Sequence, residues 1–204
     1  MTIDSFTMAE RPYHHGNLRE QLLAQAERTL RERGTGALSL RELARDAGVS
    51  HAAPRRHFAD RQALLDALAQ SGFERLGQEL HAATDAAGPE FEPRLHGVAA
   101  AYVRFATEDA ALLELMFAAK HGENAAALSD SANRAFAVML DLILQGQASG
   151  ALEAGDPERV GMVLFATIQG IAALITGQMV EPDRVDDLVT DAIDRFLRGS
   201  RAAA

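Results

Sequence analysis

Apolar residues recur at helical spacing along almost the whole of this 204-residue chain. At residues 17–33, at 60–83 and in the segments after Pro89, they return at every third or fourth position, as they do on the buried face of a helix. No stretch alternates apolar and polar residues in the manner of a strand. The pattern therefore predicts an all-α protein with about nine helices.

Residues 39–58 predict two short helices joined by a tight turn. Ser39 has the side chain of a good N-cap, and Glu42 three residues later completes a capping box. Gly48 follows the last apolar position of the first helix, where the chain needs a left-handed conformation that glycine adopts at little cost. The first helix is therefore predicted to begin after Ser39 and to end before Gly48.

The second helix of the pair is predicted at residues 51–57, capped by Ser50 and anchored at its far end by Phe58. Pro54 near the first turn is tolerated, but it removes one main-chain donor and restricts the residue before it. A short helix, a turn that contains glycine and a second short helix form a helix-turn-helix, whose second helix enters a DNA major groove. The alternative is a surface helical hairpin with a basic, solvated end.

The residues around this pair follow a more specific pattern. YHHGNLREQLLAQAERTLRERG, LSLRELARDAGVS and RHFADRQALLDAL occur in this order between residues 13 and 68. Residues 14–76 thereby resemble the DNA-binding domain of the TetR family of bacterial transcriptional regulators. The resemblance implies an N-terminal three-helix domain at 14–76 and a larger C-terminal helical bundle for effector binding and dimerisation at 77–204. Arg55 stands where the family usually has a tyrosine that touches a phosphate.

The residues expected at the DNA combine positive charge with small size. Arginines pair with phosphates or with the acceptor edge of guanine, histidines donate to the same groups, and alanines allow close approach to the groove. The predicted contacts are Ser39, Arg41, Ser50, His51, Ala52, Ala53, Arg55, Arg56, His57 and Arg61. Before the first helix, Arg11, Tyr13, His14 and His15 are placed to reach a minor groove or a phosphate. For Arg61, the alternative is a solvated surface arginine.

Charge is distributed unevenly along the chain. The net charge is −9, but residues 1–60 carry +1 and the remainder carries −10. Affinity for DNA depends on the local charge and not on the total. The acidic C-terminal part therefore does not argue against a nucleic-acid partner, and the distribution favours contact through the N-terminal third.

The helix predicted from Pro157 to about residue 179 has one face made only of small residues. Ala166, Gly170, Ala173 and Gly177 repeat at helical spacing, and glycine inside a helix costs about 1 kcal/mol relative to alanine. Close approach of another helix would compensate for that cost. In TetR-like proteins the last two helices pair across a two-fold axis, which implies a homodimer interface; the alternative is packing within the chain. The predicted interface is Ala166, Gly170, Ala173, Gly177, Leu188, Ala192 and Phe196.

A second group of residues is rich in Phe and Met, which suit an adaptable apolar cavity. The resemblance implies a small-molecule pocket in this region, and the alternative for each residue is ordinary core. The predicted ligand-binding residues are Tyr102, Phe105, Met116, Phe117, Phe136, Met139, Met162, Phe165 and Gln169. Tyr102 and Gln169 would orient a small, apolar effector by hydrogen bonds.

Other chemistry finds little support in the sequence. The chain has no Cys, which suits a reducing cytoplasm, and its most apolar run, residues 162–176, is interrupted by Gln169 and is shorter than a bilayer span needs. We find no nucleophile elbow, phosphate loop or metal motif, and we expect no catalysis, no cofactor, no metal and no membrane contact. The sequence predicts a ligand-responsive, homodimeric repressor that binds a palindromic operator in double-stranded DNA. The alternative is a helical small-molecule-binding or interaction protein without operator binding.

Overall fold

The computed structural model describes residues 18–119 and 125–200, and all regular structure within them is helical. The all-α prediction is therefore confirmed. Eight α-helices occur in these ranges, against about nine expected, because the segment at 51–57 is not an α-helix. The helices are α1 (Leu18–Arg33), α2 (Leu40–Asp46), α3 (Arg61–Ala86), α4 (Phe91–Glu108), α5 (Ala110–Ala119), α6 (Ala125–Ala148), α7 (Pro157–Thr176) and α8 (Val185–Gly199).

Side-chain caps fix the start of two helices. The Asp60 carboxylate accepts a hydrogen bond from the Ala63 main-chain N–H at 2.8 Å and begins α3. Asp156 accepts from Glu158 N–H at 3.0 Å and begins α7, with Pro157 at the first helical position. At α2 the capping-box prediction is wrong, because Ser39 makes no side-chain cap bond. Pro182–Arg184 form a 3-10 turn immediately before α8.

The 26-residue helix α3 is the element on which the other helices pack. Its three most extensive contacts are with α4, α5 and α6, and it also contacts α1. The residues buried along it include Leu64, Leu68, Phe73, Leu76 and Leu80. The predicted domain boundary at residue 76 thus lies inside a continuous helix, so the two parts of the chain share one hydrophobic core.

Two glycines let neighbouring helices approach α3 closely. A Cβ atom at Gly77 would lie 3.2 Å from the Cα of Ala135, which is backbone of α6. A Cβ atom at Gly72 would lie 2.6 Å from the Sδ of Met116 on α5. Glycine within a helix is unfavourable by about 1 kcal/mol relative to alanine, and these contacts are what compensates for it.

We predict that Gly77→Val lowers the free energy of unfolding by about 1–3 kcal/mol, because the added methyl groups meet the α6 backbone. Gln78→Val is the matched control: the neighbouring side chain is exposed, so the change costs only the difference in helix propensity. Urea unfolding of both variants measures the effect. Equal stability of the two variants would contradict the close α3–α6 packing.

Candidate nucleic-acid interface and effector groove

The turn after α2 has the geometry that the sequence predicts. Gly48 has a φ of +66°, in the left-handed region. Its N–H donates to Arg45 O at 3.1 Å, and the N–H of Val49 donates to Ala44 O at 2.9 Å, which together form a Schellman motif. This motif ends α2 and directs the chain into the segment expected to face DNA.

The segment at 51–57, predicted as the second helix, is instead a turn at 51–53 followed by a 3-10 helix at Pro54–Arg56. Its hydrogen bonds are mainly of the i to i+3 type: Ala53 N–H donates to Ser50 O at 2.9 Å and Arg56 N–H to Ala53 O at 3.2 Å. Pro54 has no N–H, so the i to i+4 bond that would start an α-helix at Ser50 cannot form. The prediction of an α-helix here is wrong for that reason.

The 51–57 segment nevertheless exposes most of the side chains predicted to contact DNA. His51, Ala52, Arg55, Arg56 and His57 are exposed, whereas Ala53 is half-buried. Pro54 is buried beneath them, so the 3-10 turn has one inner and one outer side. Its far end is anchored as predicted by Phe58, which is 2% exposed and lies under the guanidinium of Arg19, 5.6 Å from the ring centroid.

The positive charges on this surface are available to a ligand. Within the described residues, Arg41, Arg55 and Arg56 have no hydrogen-bond or ion-pair partner. The acids nearby are engaged locally: Asp46 pairs with Arg45 at 3.3 Å, and Asp60 caps α3. The arrangement presents unpaired guanidinium groups, which suit phosphates and guanine edges.

Arg61 has a different set of contacts from those the sequence suggests. Its Nε donates to Leu38 O at 3.0 Å and its Nη2 donates to Thr35 O. The guanidinium therefore joins the start of α3 to the connection between α1 and α2. The half-buried Ser39 follows this connection directly. In the structure Arg61 positions the helix-turn-helix. Arg11, Tyr13, His14 and His15 lie outside the described residues.

The aromatic residues predicted to bind a ligand instead pack on one another. Phe165 lies 5.6 Å from Tyr102, 6.2 Å from Phe117 and 5.3 Å from Phe136, measured between ring centroids, and all three pairs are edge-to-face. Phe105, Met116 and Met139 are also buried, whereas Met162 is 64% exposed. Most of the predicted ligand set therefore fills core.

Two of the predicted ligand residues, Phe117 and Gln169, line an open groove beside this aromatic core. The groove has a volume of about 530 Å³ and runs between the end of α4, α5 and α7. Its other lining residues are Ala106, Ala110, Ala111, Leu113, Glu114, Ala172, Ala173 and Thr176. The buried Tyr102 hydroxyl donates to Gln169 Oε1, and burial raises the pKa of Tyr102 above its usual value, so the hydroxyl keeps its proton.

An ion-pair network that the sequence did not predict joins the helix-turn-helix part to the C-terminal part. Asp109, between α4 and α5, pairs with Arg31 of α1, whose Nε donates to it at 3.1 Å, and with Arg75 of α3. Both arginines also pair with Glu27 of α1. The hydrogen bonds and the charge of Asp109 raise the pKa of Arg31 above its usual value. These partners are up to 78 positions apart, so no local sequence signal could reveal them.

A face of α7 remains uncovered in the single chain. The predicted interface residues Ala166, Gly170 and Ala173 on α7 are all exposed, beside Val163 at 59% exposure. Gly177 is also exposed, but it follows the helix as its C-cap, because α7 ends at Thr176 and not at about residue 179 as predicted. On α8, Leu188 and Ala192 are half-buried, and Phe196 is buried in the chain's own core at 8% exposure. The twenty-residue helix α7 is long and apolar enough, by length and composition alone, to cross a bilayer. The apolar run at residues 162–176, considered by itself, is too short for that.

Among residues 18–119 and 125–200, no three His, Cys, Asp or Glu side chains are grouped so as to hold a metal ion. The features that the described residues present for recognition are an exposed basic turn, an apolar groove with few polar groups, and an uncovered helix face.

Comparison with known proteins identifies the two parts of the chain. Residues 22–68 match the profile of bacterial regulatory proteins of the tetR family, and residues 95–196 match the profile of the tetracyclin repressor-like C-terminal domain. No curated protein matches the sequence. A solved protein of unknown function from Rhodococcus sp. RHA1 is 47% identical, with a TM-score of 0.88 over 95% of this chain and 100% of that chain.

More distant solved structures share the fold. A regulatory protein of the tetR family from Rhodococcus RHA1 is 18% identical, with a TM-score of 0.72 over 92% of this chain and 98% of that chain. The TetR family transcriptional regulator PfmR from Thermus thermophilus is 19% identical, with a TM-score of 0.68 over 87% of this chain and 97% of that chain. Both parts of the chain match profiles of one family, and the C-terminal match, residues 95–196, spans half of the chain. This protein therefore belongs to the tetR family of bacterial regulatory proteins.

Proposed function

We propose that this protein is a sequence-specific, DNA-binding transcriptional regulator that acts as a ligand-responsive homodimeric repressor in the cytoplasm. The observation that supports this most directly is the exposed 51–57 turn, whose Arg55 and Arg56 are unpaired and whose inner side is fixed by Pro54 and Phe58. A rigid support with free guanidinium groups is what phosphate and base-edge contacts require. Membership of a family of regulators and not of enzymes agrees with a role without catalysis.

The uncovered face of α7 supports the proposal of a dimer. Ala166, Gly170 and Ala173 present a flat surface, so a second helix can approach its backbone closely. A membrane would be the other apolar environment for such a face, but the opposite side of α7 packs on α4, α6 and α8, and Gln169 is bonded within the chain. A second copy of the chain therefore suits this surface, and a two-fold dimer would present two basic turns to the two halves of a palindrome.

Ligand response would require a difference in effector affinity between the DNA-bound and DNA-free conformations. The continuous helix α3 supports such coupling, because it carries Asp60 and the basic turn at one end and contacts α4, α5 and α6 along the rest of its length. A shift of the C-terminal helices would reach the basic turn through the shared core. The spacing of two such turns in a dimer would then change.

The proposed function is tested by retardation of the chain's own upstream DNA in the presence of excess unrelated duplex. We expect a discrete complex with two chains per duplex and a footprint with two-fold symmetry. A helical protein without operator binding, the second candidate, would show no preference for upstream DNA over competitor at any salt concentration. That candidate is favoured only by the shortness of the 3-10 segment, which gives less surface for the groove than an α-helix.

We predict that Arg55→Ala weakens binding to duplex DNA and reduces the slope of log affinity against log salt by about 0.9, the value for one lost phosphate contact. Arg198→Ala is the control, because it removes the same charge from an exposed position on α8. Fluorescence anisotropy at several salt concentrations measures both slopes. If Arg55→Ala and Arg198→Ala have the same slope as the parent protein, Arg55 does not contact the backbone.

We also predict that Gly170→Leu produces a folded monomer that has lost most of its specific DNA affinity. Among the described residues, nothing lies within 4 Å of a Cβ atom at Gly170, so the larger side chain is tolerated by the monomer and obstructs only a partner helix. In a two-fold interface the obstruction occurs twice, and the second half-site no longer adds to affinity. Gly155→Leu, at an exposed position that also has nothing within 4 Å, is the control. Sedimentation of Gly170→Leu as a dimer would show that this face is not the interface.

A further inference from the structure

Two histidines bracket the basic turn. His51 begins the 51–57 segment and His57 ends it, and both residues are exposed. Arg55 and Arg56 lie between them, so four side chains that can carry a positive charge occupy one short, exposed stretch. Histidine is the side chain whose charge ordinarily changes between about pH 5 and 8. This stretch therefore has two charges that are fixed, on the arginines, and two that depend on protonation.

The main chain holds both histidines in place and leaves their rings without a partner. His51 lies in the turn that Ala53 N–H closes by donating to Ser50 O at 2.9 Å. The N–H of His57 donates to Pro54 O at 3.0 Å, and its ring centroid lies 6.5 Å from that of the buried Phe58. Among residues 18–119 and 125–200, neither imidazole has a hydrogen-bond or ion-pair partner. The ring nitrogens are therefore available to a ligand at this surface.

The acids on the neighbouring elements do not pair with these rings. Asp46 of α2 pairs with Arg45 at 3.3 Å, and Asp60 caps α3. The other charged residues on α2 and at the starts of α1 and α3 are Arg19, Glu20, Arg41, Glu42 and Arg61. Within the described parts of the chain, none of these forms an ion pair with His51 or His57. A phosphate of bound DNA can therefore pair with a protonated imidazole here without displacing an acid of the protein.

We propose that His51 and His57 are phosphate-binding residues that act in the protonated form, so that DNA affinity rises as the pH falls from about 8 to 6. A neutral imidazole has one N–H to donate, whereas the protonated ring has two N–H donors and a positive charge. A nearby phosphate favours the charged form. Each ring therefore takes up a proton from solvent when DNA binds and returns it when DNA dissociates. This inference rests on the proposed function, because the phosphates are those of DNA bound at the basic turn.

The sign and the size of the effect follow from the charge of the turn. Protonation of both rings raises the positive charge of residues 51–57 from two, on Arg55 and Arg56, to four. Because DNA binding takes up protons, a lower pH must favour the complex by the same coupling. Each additional phosphate contact steepens the dependence of log affinity on log salt by about 0.9. A two-fold dimer carries the segment twice, so both effects are doubled.

The pH dependence is tested by fluorescence anisotropy of a labelled duplex from the chain's own upstream DNA, at pH 6 and pH 8 and at several salt concentrations. We expect the parent protein to bind about tenfold more tightly at pH 6, with a steeper salt slope. His51→Gln combined with His57→Gln should bring the ratio of the two affinities close to one. His81→Gln, at an exposed position on α3, is the control and should keep the parental ratio.

The outcomes of this titration are distinguishable. Binding at both pH values with equal affinity and equal salt slope would overturn the proposal and leave the proposed function intact. Absence of binding at either pH would overturn the proposed function itself. A ratio that persists in the 51/57 double variant but is lost when His14→Gln is combined with His15→Gln would assign the effect to the N-terminal segment and so contradict the proposal.

A charge that does not depend on pH separates a phosphate contact from a structural role. His51→Lys combined with His57→Lys should bind the duplex more tightly at pH 8 than the glutamine double variant does, and it should lose most of the pH dependence. Equal affinity of the lysine and glutamine variants at pH 8 would contradict a phosphate contact. Proton uptake needs no substitution: calorimetry of the parent protein near pH 7, in Pipes and in Tris, should show protons taken up on DNA binding. DNA binding without proton uptake would overturn the proposal.

Discussion

The burial of α3 along its whole length is the constraint on which the rest of the structure depends. A 26-residue helix that belonged to one small domain would leave half of its apolar face in water, but here α3 packs on α1 and on the C-terminal helices α4, α5 and α6, and its apolar residues are buried along its length. The two parts of the chain therefore share one helix and one continuous hydrophobic core. Gly77 adds to this constraint, because it brings the α6 backbone into direct contact.

The elements that the sequence predicted well are those whose signals are local. Asp60 and Asp156 cap helices because each carboxylate accepts a hydrogen bond from a main-chain N–H two or three residues later in the chain. Gly48 adopts its positive φ for an equally local reason. The resemblance to helix-turn-helix domains predicts a second α-helix at 51–57, but Pro54 has no N–H to donate, and the segment forms a turn followed by a 3-10 helix.

The candidate sites were predictable where they depend on one face of one helix, and not where they depend on distant partners. The small residues of α7 are uncovered, as their spacing suggested, and Gln169 reaches the groove. The aromatic residues, however, pack on one another, and alanines line much of the groove. Alanines carry no sequence signal for ligand binding. Likewise, Arg61 and Asp109 find partners that only the tertiary fold brings near. These contacts give the basic turn its support and its connection to the groove.

The central claim is that DNA binding at the basic turn changes the conformation of the first turn of α5, because the two regions share one hydrophobic core. Hydrogen exchange of the full chain, measured with and without its upstream DNA, tests this claim most directly. The account predicts slower exchange at residues 39–61 on DNA binding, accompanied by a change at residues 106–111 beside the groove. Slower exchange at 39–61 with no change at 106–111 would contradict the coupling, and no change at either segment would contradict DNA binding itself.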